Sequence, residues 1–232
     1  MPYRFVVNHA LLASARDNLT DRHSLVWIVG GAGSGKTTLC QVLTARLKIP
    51  TYDMDAHIYG EYHSRFTPTK HPINTAWATA SNGLAWLLNL PWNDFNCFNQ
   101  AALPEYLDLL TEDLDKPGLD DGVLIDGGIS NPRLLVQALP ASQIACLATP
   151  EQSSTQIWER SGERAAMKEA VYALPNPETA WQTFLEFDRQ ITANILKECQ
   201  EARIPIYQRN NSTTVEELAE RVIRELKILQ HG

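Results

Sequence analysis

The run Gly30-Gly31-Ala32-Gly33-Ser34-Gly35-Lys36-Thr37 is the part of this sequence best suited to chemistry. Glycines let backbone N–H groups turn inward and approach phosphate oxygens. A helix starting at the end of such a run adds free donors and a favourable dipole. Lys36 would place a positive charge on the β- and γ-phosphates of a nucleoside triphosphate, and Thr37 would offer a hydroxyl to Mg²⁺. The alternative is a glycine-rich turn with a chance lysine. The apolar residues before it and the amphipathic residues after it favour the phosphate loop.

Three acids follow in the chain. Asp53 and Asp55 stand at i and i+2, so on a strand end both side chains would lie on one face. Near a triphosphate, such a pair suits water coordination around Mg²⁺ and acceptance of a hydroxyl proton. Two solvated loop aspartates are the competing reading. Asp126 closes the apolar run Val123-Leu124-Ile125, where a Mg²⁺-side carboxylate is expected. Gly127-Gly128 would then let a substrate or phosphate come close to the backbone, unless the pair only ends a strand. Arg160, Arg164 and Lys168 are spaced by four and would share one helix face. Over a γ-phosphate they would offset developing charge; beside Glu159 and Glu163 they could equally form a solvated face. His57, His63 and His71 match no metal-site spacing. Trp77, Trp86 and Trp92 suit either a substrate pocket or a core.

The elements that must position these residues alternate. Residues 24–29, 51–55, 122–126, 143–148 and 204–207 read as five short apolar strands. Helices are expected at 36–47, 74–88, 101–114, 155–171, from 176 onward and from 215 onward, the last opened by a Thr214-to-Glu217 capping box. A short helix is expected near 10–15, and residues 60–72 read as a polar loop. Alternation of this kind implies an α/β fold, three layers deep (α/β/α), around a mainly parallel five-stranded sheet. Ligands of such sheets bind at the carboxyl ends of the strands, where both glycine turns fall.

With 232 residues, 44% of them hydrophobic, the chain can bury one good-sized core, and a single domain over 1–232 is expected. Residues 1–23 form a lead-in, 59–118 a helical substrate-side insertion and 155–172 a lid region. A net charge of -7 without a basic cluster disfavours nucleic acid as the main partner. No apolar run is long enough to cross a membrane, and no secretory signal is visible. Cys40, Cys97, Cys146 and Cys199 are far apart in sequence, as expected of reduced thiols in a cytoplasmic protein.

Residues 30–38, Tyr52-Asp53-Met54-Asp55-Ala56-His57-Ile58 and Leu124-Ile125-Asp126-Gly127-Gly128 together resemble the small P-loop kinases. The order is similar to shikimate kinase, gluconate kinase and the nucleoside and nucleotide kinases. The resemblance implies an ATP-dependent phosphotransferase acting on a hydroxyl of a small molecule, with Mg²⁺. It implies phosphate contacts from Gly30 through Lys36, Thr37 and Thr38. Asp53 becomes a Mg²⁺-side acid and Asp55 the acid for the substrate hydroxyl. Arg160 and Arg164 become lid arginines, and Asn210, Asn211 and Ser212 fall where adenine would rest. The stretch 59–118 is longer than in shikimate kinase, and Arg65 and Lys70 are its only candidates to hold a substrate carboxylate. A second class of function is an ATPase or nucleotide-dependent switch acting on a protein partner. The Asp-x-Asp and the basic lid favour the kinase.

Overall fold

The computed structural model describes residues 5–119, 122–149, 153–160, 162–210 and 212–226; the side chains of Arg160 and Glu163 lie outside that description. The chain opens with α1 (His9–Leu19), capped by the Asn8 side chain. Then come β1 (Leu25–Gly30), α2 (Lys36–Leu47), β2 (Thr51–Asp53) and α3 (Met54–Tyr59). The next stretch is helical: α4 (Tyr62–Arg65), α5 (Pro72–Ala78), α6 (Gly83–Leu88) and α7 (Trp92–Leu114). After β3 (Val123–Asp126), α8 (Pro132–Leu135) and β4 (Ile144–Ala148) come α9 (Ser154–Arg160), α10 (Ala165–Tyr172) and α11 (Pro177–Glu201). The chain then forms β5 (Ile206–Gln208) and α12 (Val215–Glu225).

Among the described residues, five strands form one parallel sheet in the order β2-β3-β1-β4-β5. Parallel pairing needs crossovers, and these lay helices on both faces. Alternation along β1 divides the core in two. Leu25, Trp27 and Val29 pack on one face, with α1, α7 and Ile195 and Cys199 of α11. Val26 and Ile28 pack on the other, against Leu39, Cys40 and Leu43 of α2 and Leu218, Ala219 and Val222 of α12. All six residues of β1 are buried, as a central strand requires. The capping box forms: Glu217 N–H donates to Thr214 Oγ1, and Thr214 N–H donates to Glu217. Among the described residues no helix is long and apolar enough to cross a membrane.

Several expected boundaries move. The second strand stops at Asp53, because the Asp53 carboxylate accepts from Ala56 N–H at 2.9 Å and starts α3. Asp55 therefore sits in the first turn of a helix, and Asp53 and Asp55 do not share a strand face. The helix expected over 74–88 is two, since Asn82 caps a fresh start through Ala85 N–H. The helix expected over 101–114 begins earlier, directly after Pro91. The expected loop at 60–72 contains α4. The single helix expected over 155–171 is also two, parted by a 3-10 turn at Gly162–Arg164, where glycine is a poor helix former. Arg160, Arg164 and Lys168 consequently lie on different elements and share no helix face.

Candidate active site

The phosphate loop joins β1 to α2 at the carboxyl edge of the sheet. Lys36 folds back over it and donates to Gly30 O at 2.9 Å and Gly31 O at 3.2 Å. Thr37 donates its hydroxyl to Asp126 Oδ2 at 2.7 Å. Thr38 follows, exposed, in the first turn of α2. Ser34 is 2% exposed, and its Oγ has no hydrogen-bond partner. Asp126 is 4% exposed, and its Oδ1 also lacks a partner. Burial pushes the Asp126 carboxyl up from its ordinary value, while the Thr37 hydroxyl and Lys36 pull it down. Strand register puts Asp53 beside Asp126 on the neighbouring strand. The expected donor-side residues are thus brought together.

The turn after β3 joins that side to the next. Gly127 and Gly128 have φ of 72° and 78°, in the left-handed region that favours glycine. Trp27 Nε1 donates to Gly127 O at 2.8 Å and fixes the turn from below. A Cβ at Gly127 would run into Asp55 Oδ2 and lie 3.5 Å from Lys36 Cε. The Asp55 carboxylate and the lysine stem therefore flank one small space. Gly128 N–H donates to Asp55. Asp55 is exposed at the protein surface, yet protein atoms crowd its carboxylate. Desolvation raises its pKa, outweighing Lys36 and the Gly128 N–H.

Aromatic residues stand around this acid. Tyr59 is 65% exposed and meets Trp77 edge-on at 5.7 Å. Tyr59 and Tyr106 both feel the Asp55 charge, and burial raises the Tyr106 phenol well above its usual value. Trp77 is buried and also meets His63 at 4.5 Å. Trp86 packs on Phe98 and Trp92 on Phe187, so these two tryptophans serve the packing of the insertion. His57 stacks on Tyr52, and His71 binds Asp108 at 2.9 Å. Among the described residues one trio of possible metal ligands, His57, Glu61 and Asp113, comes together. Arg65, Tyr52 and Lys116 already occupy Asp113.

Arg65 and Lys70 of the insertion are engaged internally. Arg65 Nη1 donates to both oxygens of Asp113 at 2.8 and 2.9 Å and also pairs with Glu61 and Glu112. Lys70 pairs with Asp108 at 2.7 Å and Glu112 at 3.2 Å. In the stretch expected as a lid, Ile157 of α9 packs on Gly33 of the phosphate loop. Arg164 donates to Ile157 O at 2.9 Å and lies over the Trp158 ring. Lys168 lies over Tyr172 and Trp181. After β5, Asn210 Oδ1 accepts from Ser212 N–H, Ser212 Oγ and Thr213 Oγ1, which closes that loop on itself. Asn211 lies outside the described residues, as does the side chain of Arg160.

Sequence reasoning missed four residues. Arg209 follows β5, and its Nη1 would lie 2.7 Å from a Cβ at Gly35, so its guanidinium rests on the phosphate loop. Thr192 of α11 packs against Gly31. Asp188, one turn earlier on α11, is buried. Asn99 of α7 has a buried Nδ2 without a partner. The one signal in the sequence was the polar Asp188 and Thr192 on the helix face that also carries Trp181, Leu185 and Ile195.

No family model matches the chain, and no curated protein matches its sequence. Among solved structures, it is similar to shikimate kinase from Acinetobacter baumannii in complex with shikimate. The two are 18% identical, with 90% of this chain and 96% of that chain covered and a TM-score of 0.45.

Proposed function

We propose that this chain transfers the γ-phosphoryl group of Mg-ATP to a hydroxyl of a small molecule. The observation that carries the reading is that the Asp55 carboxylate and the Lys36 stem both close on Gly127. A lysine that serves phosphates and an acid that serves a hydroxyl there face the same point.

The donor side fits a divalent cation. Asp126 offers a buried oxygen without a partner, Thr37 a hydroxyl beside it, and Asp53 a carboxylate on the adjacent strand, all hard oxygen donors. When bound, Mg²⁺ supplies charge neutralisation across the phosphates. Lys36 exchanges its two loop carbonyls for phosphate oxygens of higher charge. Backbone N–H groups of residues 30–38 hold the phosphates in place. Arg209 approaches the phosphate loop from the nucleotide side. Asp55 accepts the hydrogen bond of the acceptor hydroxyl, orients it in line, and takes its proton as transfer proceeds. Arg160 and Arg164 belong to the lid. Arg164 would have to leave Ile157 O and Trp158 to reach phosphate, so closure of α9 and α10 accompanies any role it has.

The acceptor is not anionic on this reading. Arg65 and Lys70 are held in internal ion pairs, so neither is free for a substrate carboxylate.

The test is a screen of small hydroxyl compounds with Mg-ATP, reading ADP release and the mass of the phosphorylated product. Lys36→Ala should abolish transfer while the variant still melts as a folded protein. Near-wild-type transfer by Lys36→Ala would refute the assignment of the loop. ADP release that no alcohol raises above hydrolysis by water would leave an ATPase or switch instead.

A further inference from the structure

We infer that Asp188 recognises the acceptor, and that the acceptor presents a protonated amine to it; this rests on the transfer reading above.

Three contacts place Asp188. Helix α11 precedes β5 in a parallel sheet, so it runs opposite to the strands. Its later turns, with Ile195 and Cys199, pack in the core, and its earlier turns rise past the carboxyl edge. Thr192 marks the level of the phosphate loop, because it packs against Gly31. Asp188 is one turn further out, about 6 Å along the axis. One turn beyond it, Phe184 meets Trp158 of the lid helix α9 edge-on at 4.7 Å. Beside it, Phe187 meets Phe95 of α7 at 4.6 Å and Trp92 at 5.6 Å. The α11 residues around Asp188 thus touch the phosphate loop, the α9 helix and α7.

Asp188 is 8% exposed, and its Oδ2 is sealed with no hydrogen-bond partner. Among the described residues no cation pairs with it. Its neighbour Arg189 is turned outward onto Glu186. A buried carboxylate without a partner is unfavourable by itself, and a ligand that completes its bonds removes that cost. Asn99 repeats the pattern: it is one turn along α7 from Phe95, and its buried Nδ2 is a donor without an acceptor. An acceptor hydroxyl would satisfy it.

Charge selects the ligand. On this inference Asp55 and Asp188 are the two acids the acceptor meets, and Arg65 and Lys70 of the insertion are already paired. An acidic acceptor would meet repulsion from both acids. A neutral alcohol would satisfy Asp188 but leave its charge unbalanced. A protonated amine adds an opposite full charge to the hydrogen bond and so balances the carboxylate, and aromatic rings beside it add a favourable face. The acceptor class is therefore an amino alcohol, with the hydroxyl at Asp55 and the amine at Asp188.

The experiment uses matched sets of alcohols on one carbon frame: the free amine, its N-acetyl form, and a carboxylate in place of the amine. Each is assayed with wild-type protein, Mg-ATP and product mass. The free amine should be the best acceptor, and acetylation should raise KM by about 10- to 100-fold. Asp188→Asn should raise KM for the amine by a similar factor with kcat changed much less, and should abolish the preference. Glu178→Gln removes an exposed carboxylate from the same helix and should keep both the preference and the rate. Preferred transfer to neutral or acidic alcohols by the wild type overturns the inference and leaves the kinase standing. Transfer to no compound at all overturns both. The wild-type comparison needs no variant, so poor folding of Asp188→Asn would not blunt it.

Discussion

At the scale of single residues, Asp55 sets the strongest test, because its environment works against its charge. Desolvation raises its pKa, and Asp53 and Asp126 add to the rise, against Lys36 and the Gly128 N–H. If Asp55 accepts the acceptor proton, only its ionised form is active. That form is lost as pH falls through the raised pKa, so the acid limb of kcat should lie above the ordinary carboxylate range. The effect on stability has the opposite sense. A carboxyl with a raised pKa favours the fold in its protonated form and loses that contribution as pH rises through the pKa. Asp55→Asn should therefore melt no lower than wild type at neutral pH, while kcat falls by about 100-fold or more. KM for ATP should change little, since Lys36, Thr37 and Asp126 remain. Equal losses in kcat and ATP affinity would mean that Asp55 serves the metal instead. A kcat profile without an acid limb would remove it from proton transfer.

At the scale of elements, the acceptor wall depends on a buried network that ties β2, α4 and α7 together. Asp113 is held by Arg65 Nη1, which donates to both of its oxygens, by the Tyr52 hydroxyl and by Lys116 at 2.6 Å. Burial would raise its carboxyl, yet these partners hold it at about 2 against an ordinary 3.8. That difference corresponds to roughly 2 kcal/mol of stability. With a lowered pKa, the contribution is present above the ordinary value and is lost as pH falls toward about 2. Asp113→Asn should lower the melting temperature at pH 7, and the gap to wild type should narrow in melts taken from pH 5 down to pH 2. A gap that stays constant over that range would show that the charge of Asp113 is not what stabilises. The same network explains what sequence could and could not reveal. The order of strands and helices and the phosphate loop were readable, because apolar runs and glycine spacing are local signals. Arg65 looked like a substrate contact because its partner Asp113 lies 48 residues away in sequence. The break at Gly162 and the cap at Asp53 were missed for a related reason. One polar or glycine residue decided the local geometry inside a pattern that otherwise continued. Asp188 was hidden because a single acid on an amphipathic helix reads as surface until the opposite wall is known.

At the scale of the whole molecule, the sheet separates two apolar clusters of different character. On one face α2 is held by the apolar surface that it shares with α12. On the other, α3 through α7 and α11, which hold the acceptor on the proposed reading, rest on α1. Residues 1–23 read as a lead-in without chemistry, yet α1 buries Leu12, Ala15 and Leu19 in the same cluster as Phe98, Leu103 and Tyr106 of α7. Arg22, just beyond α1, donates to Leu114 O at 3.0 Å and pins the far end of α7. The position of Tyr106 and Asn99 on α7 therefore depends on packing against α1. Leu19 is 0% exposed, so Leu19→Ala should lower stability by about 3 kcal/mol. At a temperature where the variant is still folded, its KM for ATP should match wild type, because α2, which carries Lys36 and Thr37, packs on the other face of the sheet. KM for the acceptor should rise as α7 loosens. Calorimetry with steady-state kinetics on both substrates would check this. A rise in the ATP KM equal to that for the acceptor would show that the two halves are mechanically one.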